Sequence, residues 1–310
     1  MFVPLRATRL AEAETVSIKV GGAESNVAIH FAELGYHAMW SGKVGDDPFG
    51  VLVLRKLEEG GVDTSLVTVV SGGRTGIYVK DPDPAGTTVY YFRNHSVARD
   101  LRASMLDTPQ VRDARIIHLT GITPALSDSA SDLVLRAVSS RSDRSGLVSF
   151  DVNYRAALWP VEVAGPLLHL IASQSDICFV GLDEAELLWG CTTAESVREI
   201  LSSVPTLVVK DGAIGAHSFG VDGHAFVPSL PVEVVEPVGA GDAFAAGYLA
   251  GALRNRSETF RLRLGHLLAA QVLGVMSDHA TLPPWEKLLH LCELTDIQWS
   301  ESAKGSKYAY

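Results

Sequence analysis

Cysteine is scarce: Cys178, Cys191 and Cys292 are the only three in 310 residues, with no metal-like spacing and no even framework. That excludes a disulfide scaffold and a thiolate metal site, and reduced thiols in a cytosol are expected. No apolar run approaches the roughly 20 residues that a membrane helix needs. The start, MFVPLRATRLAEAETV, lacks the apolar core of a signal peptide. A cytoplasmic protein with no membrane partner is the expectation. Excess basic charge is missing as well. The formal net charge is -10 and the basic residues are scattered, so the footprint of a nucleic-acid binder is absent. Acidity does not exclude a small anionic substrate, because a few local arginines can hold one. Internal repeats and low-complexity tracts are lacking too, and the end, SAKGSKYAY, reads as a frayed tail.

What is present is ordinary globular material, 47% hydrophobic and 20% charged. The length suits one large α/β domain with a small appendage. ARIIHLTGI (114–122), GLVSFDVN (146–153), SDICFVGL (175–182) and PTLVVKDG (205–212) are β-rich apolar runs closed by polar or glycine residues. Between them, SDSASDLVLRAVSSR (127–141), VEVAGPLLHLIASQ (161–174) and DEAELLWG (183–190) space apolar residues at helical intervals. This βαβα order predicts a mostly parallel sheet with helices on both faces. Two regions depart from it. TVSIKV (15–20) and TGIYVKDPDPAGTTVYYFRNHS (75–96) alternate apolar and polar residues, as half-exposed antiparallel strands do. With a hairpin turn at DPDPAG (81–86), they predict a small projecting sheet, a lid.

The chemistry-bearing stretch is EPVGAGDAFAAGYLAGAL (236–253), where small residues precede a carboxylate at the mouth of an apolar helix. Glycine lets backbone N–H groups crowd a ligand, and with the helix dipole they make an anion site. The same field favours the ionised form of Asp242. A carboxylate beside such a nest is what phosphoryl transfer needs: a base for the hydroxyl and donors for the migrating charge. Taken alone, GAGD (239–242) is better explained by a simple helix cap.

The neighbouring motifs shift that balance. GGAESNVAIHFAELGYHAMWSGKVGDDPFG (21–50) and PVGAGDAFAAGYLAG (237–251) resemble the first and second signatures of the PfkB, or ribokinase-like, family of sugar kinases, in the family's order and separation. The resemblance covers nearly the whole chain. It implies a single ribokinase-like α/β domain over 1–310 with lid strands from about 14–20 and 75–96, ATP and Mg²⁺ as cofactors, and Asp242 as base with Gly239, Ala240 and Gly241 supplying amides. It places Gly21, Gly22 and Asn26 on the sugar, where a tight turn and a helix start are the plain alternatives.

VYYFRNHSVA (89–98), HLTGITPALS (118–127) and FDVNYRAALW (150–159) are most similar to the 2-keto-3-deoxygluconate kinase subfamily. The resemblance implies that Tyr91 and Arg93 of a Tyr-x-Arg element meet the acid end of the substrate, with Tyr78 beside them. Arginine suits a carboxylate through its planar two-pronged fork. Sheet packing for the tyrosines and an exposed strand position for Arg93 are the alternatives. Arg155 is implied to bind phosphate or substrate, with a structural ion pair as its alternative; NYRxxLW-like segments also occur in fructokinases. VVKDGAIGAHSF (208–219) resembles the strand and turn near the ATP phosphates and ribose, matching Lys210, Gly212 and Gly215, although a hairpin explains these glycines equally well.

Two features depart from the family. Its Asn-x-x-Glu element reads Gly181-Leu182-Asp183-Glu184 here, leaving Glu184 to serve the magnesium shell through water. An apolar strand with a Gly-Glu or Gly-Asp element usually precedes the segment matching MFVPLRATRL, so the first core strand is expected to be missing. Its neighbours would lose ladder partners, at a cost of order 1–3 kcal/mol per buried unsatisfied group. The partners implied are a sugar acid and ATP, with homo-oligomerisation through the lid. A neutral-sugar kinase or a non-catalytic binding relative remains open.

Overall fold

The computed structural model describes residues 1–4, 9–83, 86–140, 146–221, 223–275, 277–278 and 280–302. Residues 84–85 of the expected turn, 5–8 of the start, Arg141 and the tail from 303 lie outside the described residues. The chain divides into two compact units, Met1–Leu101 and Arg102–Tyr310.

In the first unit, strands β1 (Phe2–Pro4), β2 (Val16–Ile18), β5 (Ile77–Asp83) and β6 (Gly86–Phe92) form a sheet in the order β2-β1-β5-β6. The antiparallel hairpin expected from the alternating pattern is β5–β6, in the register Tyr78↔Tyr91 and Ile77↔Phe92. β1 joins it in parallel through Phe2↔Val79, a pairing that no local pattern announces. Side chains alternate across a strand. One face therefore carries Val16, Ile18, Tyr90 and Phe92, all exposed, and the other carries Tyr78 and Tyr91. Also in this unit are β3 (Lys43–Gly45) paired in parallel with β4 (Thr68–Val70), and helices α1 (Ala23–Glu33) and α2 (Pro48–Glu59). Ile29 of α1 and Leu57 of α2 belong to its hydrophobic core. Asp47 caps α2, accepting from Gly50 N–H at 2.8 Å and Thr75 N–H at 2.8 Å.

The second unit holds a six-stranded sheet in the order β12-β11-β10-β9-β8-β7. Its strands are β7 (Ile116–Thr120), β8 (Leu147–Asp151), β9 (Ile177–Gly181), β10 (Thr206–Asp211), β11 (Gly215–Gly220) and β12 (Gly223–Pro228). β7 to β10 are parallel, as the βαβα alternation predicts, and β10 to β12 form an antiparallel meander. Before and between them run α3 (Pro109–Arg112), α4 (Asp128–Ser139), α5 (Val161–Gln174), α6 (Leu182–Trp189) and α7 (Ala194–Ile200). After them come α8 (Ala240–Leu253), α9 (Glu258–Leu273), α10 (Trp285–Cys292) and α11 (Asp296–Ser302). Among the described residues, β7 pairs only with β8, and β3 only with β4.

Helix α8 is buried almost all round, which is why its apolar residues show no amphipathic stripe. Small residues let α9 pack close: a Cβ at Gly247 would come 2.6 Å from the Leu264 carbonyl oxygen. His266 of α9 is buried against the Phe244 ring, and its Nε2 lies 3.1 Å from the Val227 carbonyl oxygen.

Candidate active site

In open α/β sheets, ligands gather outside the carboxyl ends of the parallel strands. At those ends the second unit assembles a polar cluster. Asp151 closes β8, Lys210 is the penultimate residue of β10, and their side chains form an ion pair at 2.8 Å. Burial would push the Lys210 ammonium down. Asp151, Glu184 and Asp242 outweigh that burial and hold it above its ordinary value. Glu184, at the third position of α6, accepts from Gly181 N–H at 2.8 Å, and its other oxygen stands 3.7 Å from Arg155 Nη1. Burial raises the Glu184 carboxyl above the usual range despite the attraction of Lys210.

Asp242 is buried in the first turn of α8. The cap before it is Gly239, at φ 95°, where a Cβ would meet the Asp278 backbone oxygen at 2.6 Å. Only glycine fits that left-handed, crowded position. The first helical bond runs from Ala243 N–H to Gly239 C=O. Ala240, Gly241 and Asp242 therefore occupy the turn whose N–H groups the helix ladder does not use, and of these Ala240 N–H already donates to the Pro237 carbonyl at 3.3 Å. Lys210 borders this mouth: a Cβ on Gly241 would lie 3.4 Å from its Nζ. Both readings of GAGD, an anion site and a simple helix cap, start from a carboxylate in the first turn of an apolar helix, which is where Asp242 lies.

Sequence reasoning passed over two members of the cluster. Asp151 is the partner of Lys210, and Asn153 donates from Nδ2 to Asp242 Oδ1 at 3.4 Å. Asn153 sits at φ 39°, outside the ordinary regions for a residue with a side chain. Its buried Oδ1 has no hydrogen-bond partner among the described residues. Backbone strain and an orphaned buried acceptor together mark a position shaped for a ligand. The available signal was a carboxylate ending the apolar strand LVSFD.

The remaining expected residues fall as follows. Arg155 is exposed, hydrogen-bonds the Tyr154 carbonyl at 3.0 Å and faces Glu184, so it takes part in an ion pair. Gly212 and Gly215 lie at the β10–β11 turn, with Gly215 paired to Asp211. In the first unit, Gly21 and Gly22 precede α1, and Gly22 N–H lies 3.4 Å from Asn26 Oδ1. Tyr78 is buried and stands across from Tyr91, ring centroids 6.1 Å apart. The Arg93 guanidinium covers the Tyr91 ring at 4.5 Å. Burial lowers the Arg93 pKa, opposed by Tyr91, Tyr78 and Glu24.

The pfkB family carbohydrate kinase pattern matches residues 2–285. The chain belongs to the pfkB family of carbohydrate kinases. It is 33% identical to 2-dehydro-3-deoxygluconokinase of Bacillus subtilis over 299 residues, covering 93% of this chain and 91% of that one. It is 35% identical to fructokinase-1 of Zea mays over 254 residues, covering 80% and 78% of the two chains. The crystal structure of 2-dehydro-3-deoxygluconokinase from Thermotoga maritima matches with a TM-score of 0.82 at 24% identity, covering 94% of this chain and 95% of that chain. The fold is ribokinase-like, as expected. A pfkB kinase transfers a phosphoryl group to a sugar, and the chain is such a kinase. No helix among the described residues is long and apolar enough to cross a membrane.

The donor chemistry suits a hydrated divalent cation. Magnesium takes one or two carboxylates and completes its shell with water and phosphate oxygens. Glu184 and Asp151 offer such carboxylates, and the buried Glu184 carboxyl would lose its desolvation burden beside a cation.

Proposed function

We propose that this kinase phosphorylates a sugar acid, 2-keto-3-deoxygluconate at its 6-hydroxyl, with ATP as donor. The observation that carries the choice of an acid is Arg93. Its guanidinium is held over Tyr91, on the sheet face that also bears Tyr78. A partly desolvated cation on an aromatic platform is poised for a carboxylate, and the fork geometry makes the contact two-pronged. Gly21, Gly22 and Asn26 serve the hydroxyls.

In the chemical step Asp242 takes the proton of the substrate hydroxyl. The oxygen forms a bond to the γ-phosphorus as the bond to the β-bridging oxygen breaks and ADP leaves. Charge that grows on the transferring group is met by the first-turn amides of α8 and by Lys210 nearby. Asn153, bonded to Asp242, holds the base in orientation. Gly212 and Gly215 shape the turn on the nucleotide side. Bound Mg²⁺, held by Glu184 through water, would neutralise phosphate charge. A second copy of the chain pairs through the exposed apolar face that carries Val16, Ile18, Tyr90 and Phe92.

A fructokinase reading is favoured by the likeness to the Zea mays enzyme. Coupled ADP release across sugar acids and neutral sugars separates the two. Preference for 2-keto-3-deoxygluconate supports the acid reading, and a clear preference for fructose overturns it.

A further inference from the structure

Away from the cluster at the strand ends, the meander β11–β12 carries two histidines on one face. His217 pairs with Phe226 across the ladder, and His224 pairs with Phe219. The pleat puts all four rings on the same side, the side of Leu207 and Val209 in β10. The opposite side carries Ser218, whose Oγ bonds Tyr248 of α8 and Glu258 of α9. The histidine face therefore lies across the sheet from α8 and α9.

The two imidazoles meet edge to edge. His217 Nδ1 and His224 Nε2 are 2.9 Å apart, with ring planes within 10°. Such a contact holds one proton between two lone pairs. Phe219 stacks on His224 at 4.6 Å and Phe226 leans on His217 at 4.7 Å, so packing already selects the ring orientations. The third group is Glu195, in the first turn of α7. Its carboxylate and the two ring nitrogens all lie within 4.8 Å of one another. Among the described residues this is the one group of three His, Cys, Asp or Glu side chains with donor atoms so close.

We infer that Glu195, His217 and His224 form a site for a divalent transition-metal cation of the zinc class. Two imidazoles and one carboxylate are an established donor set for Zn²⁺, with a fourth position left to water. Tetrahedral bonds of about 2.0–2.1 Å put two nitrogens about 3.3 Å apart, so the pair must open by a few tenths of an ångström and the rings must pivot until both lone pairs converge on one point. The metal takes the place of the shared proton. His224 and Glu195 are exposed, so a cation reaches the site from solvent. Softer competitors are out of reach, because Cys178, Cys191 and Cys292 are all buried. Nitrogen donors disfavour Mg²⁺, a hard ion that prefers an all-oxygen shell. The bound ion would tie α7 to the meander that forms one edge of the six-stranded sheet.

The test is Zn²⁺ titration of untagged, chelator-stripped protein in excess Mg²⁺, followed by calorimetry and by the histidine ring signals in NMR. One equivalent should bind in the micromolar range and shift the His217 and His224 rings together. His224→Gln and Glu195→Gln, both at exposed positions, should leave the fold and the sugar-kinase activity intact. Each should weaken Zn²⁺ binding by about 10-fold or more, as even outer-shell changes at metal sites do. No saturable uptake in the micromolar range would overturn the assignment. So would uptake that both variants retain in full.

Discussion

Lys210 and Asp151 lie 59 residues apart in sequence, yet they meet as an ion pair at 2.8 Å, with Asp151 fully covered and Lys210 only 20% exposed. The pair links the carboxyl ends of β8 and β10 across β9. Removing one partner of a buried pair leaves the other charge uncompensated, at a cost of about 3–5 kcal/mol. Because Lys210 keeps some access to water, Lys210→Met should cost near the lower end, about 3 kcal/mol. Urea unfolding measures it. A loss well under 1 kcal/mol would show that solvent already screens the pair.

Asp242→Asn keeps the size and the first-turn position and removes the carboxylate proposed as the base. Turnover should fall by about 10²–10⁴-fold while sugar binding changes little. Single-turnover kinetics and equilibrium binding report the two quantities separately. Near-native turnover in the Asn variant would reduce Asp242 to a helix cap.

Arg93→Ala should cost selectively on acids. A charge-assisted bond is worth roughly 1.5–3 kcal/mol net, or about 10- to 150-fold in kcat/KM for 2-keto-3-deoxygluconate at 1.4 kcal/mol per decade. Activity on fructose should hardly move. Arg93→Lys should recover part of the loss, because an ammonium lacks the fork. Equal losses on both sugars would transfer Arg93 from substrate reading to support of the sheet.

His266 gives a pH signature. Burial lowers its pKa from 6.5 to about 4, with only the Val227 carbonyl opposing. The unfolded chain binds this proton more readily, so the stability is fully present above pH 6.5 and is lost as pH falls through about 4. The difference is worth about 3 kcal/mol. His266→Gln should flatten stability between pH 6.5 and 4, read from unfolding midpoints. An unchanged slope would place the titration elsewhere.

Tyr90 and Phe92 are 47% and 64% exposed on the apolar sheet face. If that face pairs two copies, Phe92→Asp should turn a dimer into a monomer in light scattering. A wild-type chain that is monomeric at the same concentration would exclude the pairing.

The sequence announced elements better than it announced partners. The strands at 116–120, 147–151, 177–181 and 206–211 stand inside the runs read from apolar periodicity, because buried parallel strands are apolar throughout. GAGD was legible because a glycine cap and a first-turn carboxylate are local chemistry. Asp151 and Asn153 were not singled out. What marks them is a pairing with residues 59 and 89 positions away. The entry of β1 beside β5 through Phe2↔Val79 was invisible for the same reason. The His217–His224 contact depends on strand register, which spacing alone does not supply.

Helix α8 is clamped against α9 where Gly247 meets the Leu264 backbone. Its first turn therefore cannot drift without disturbing the interior of the second unit. Asp242 has its position settled when the chain folds, not when the sugar arrives. The ordering of its carboxylate then belongs to the folding free energy, and the proton transfer proposed for it would start with that entropy already removed. Enlarging Gly247 would appear, far from any substrate, as a more negative activation entropy of turnover.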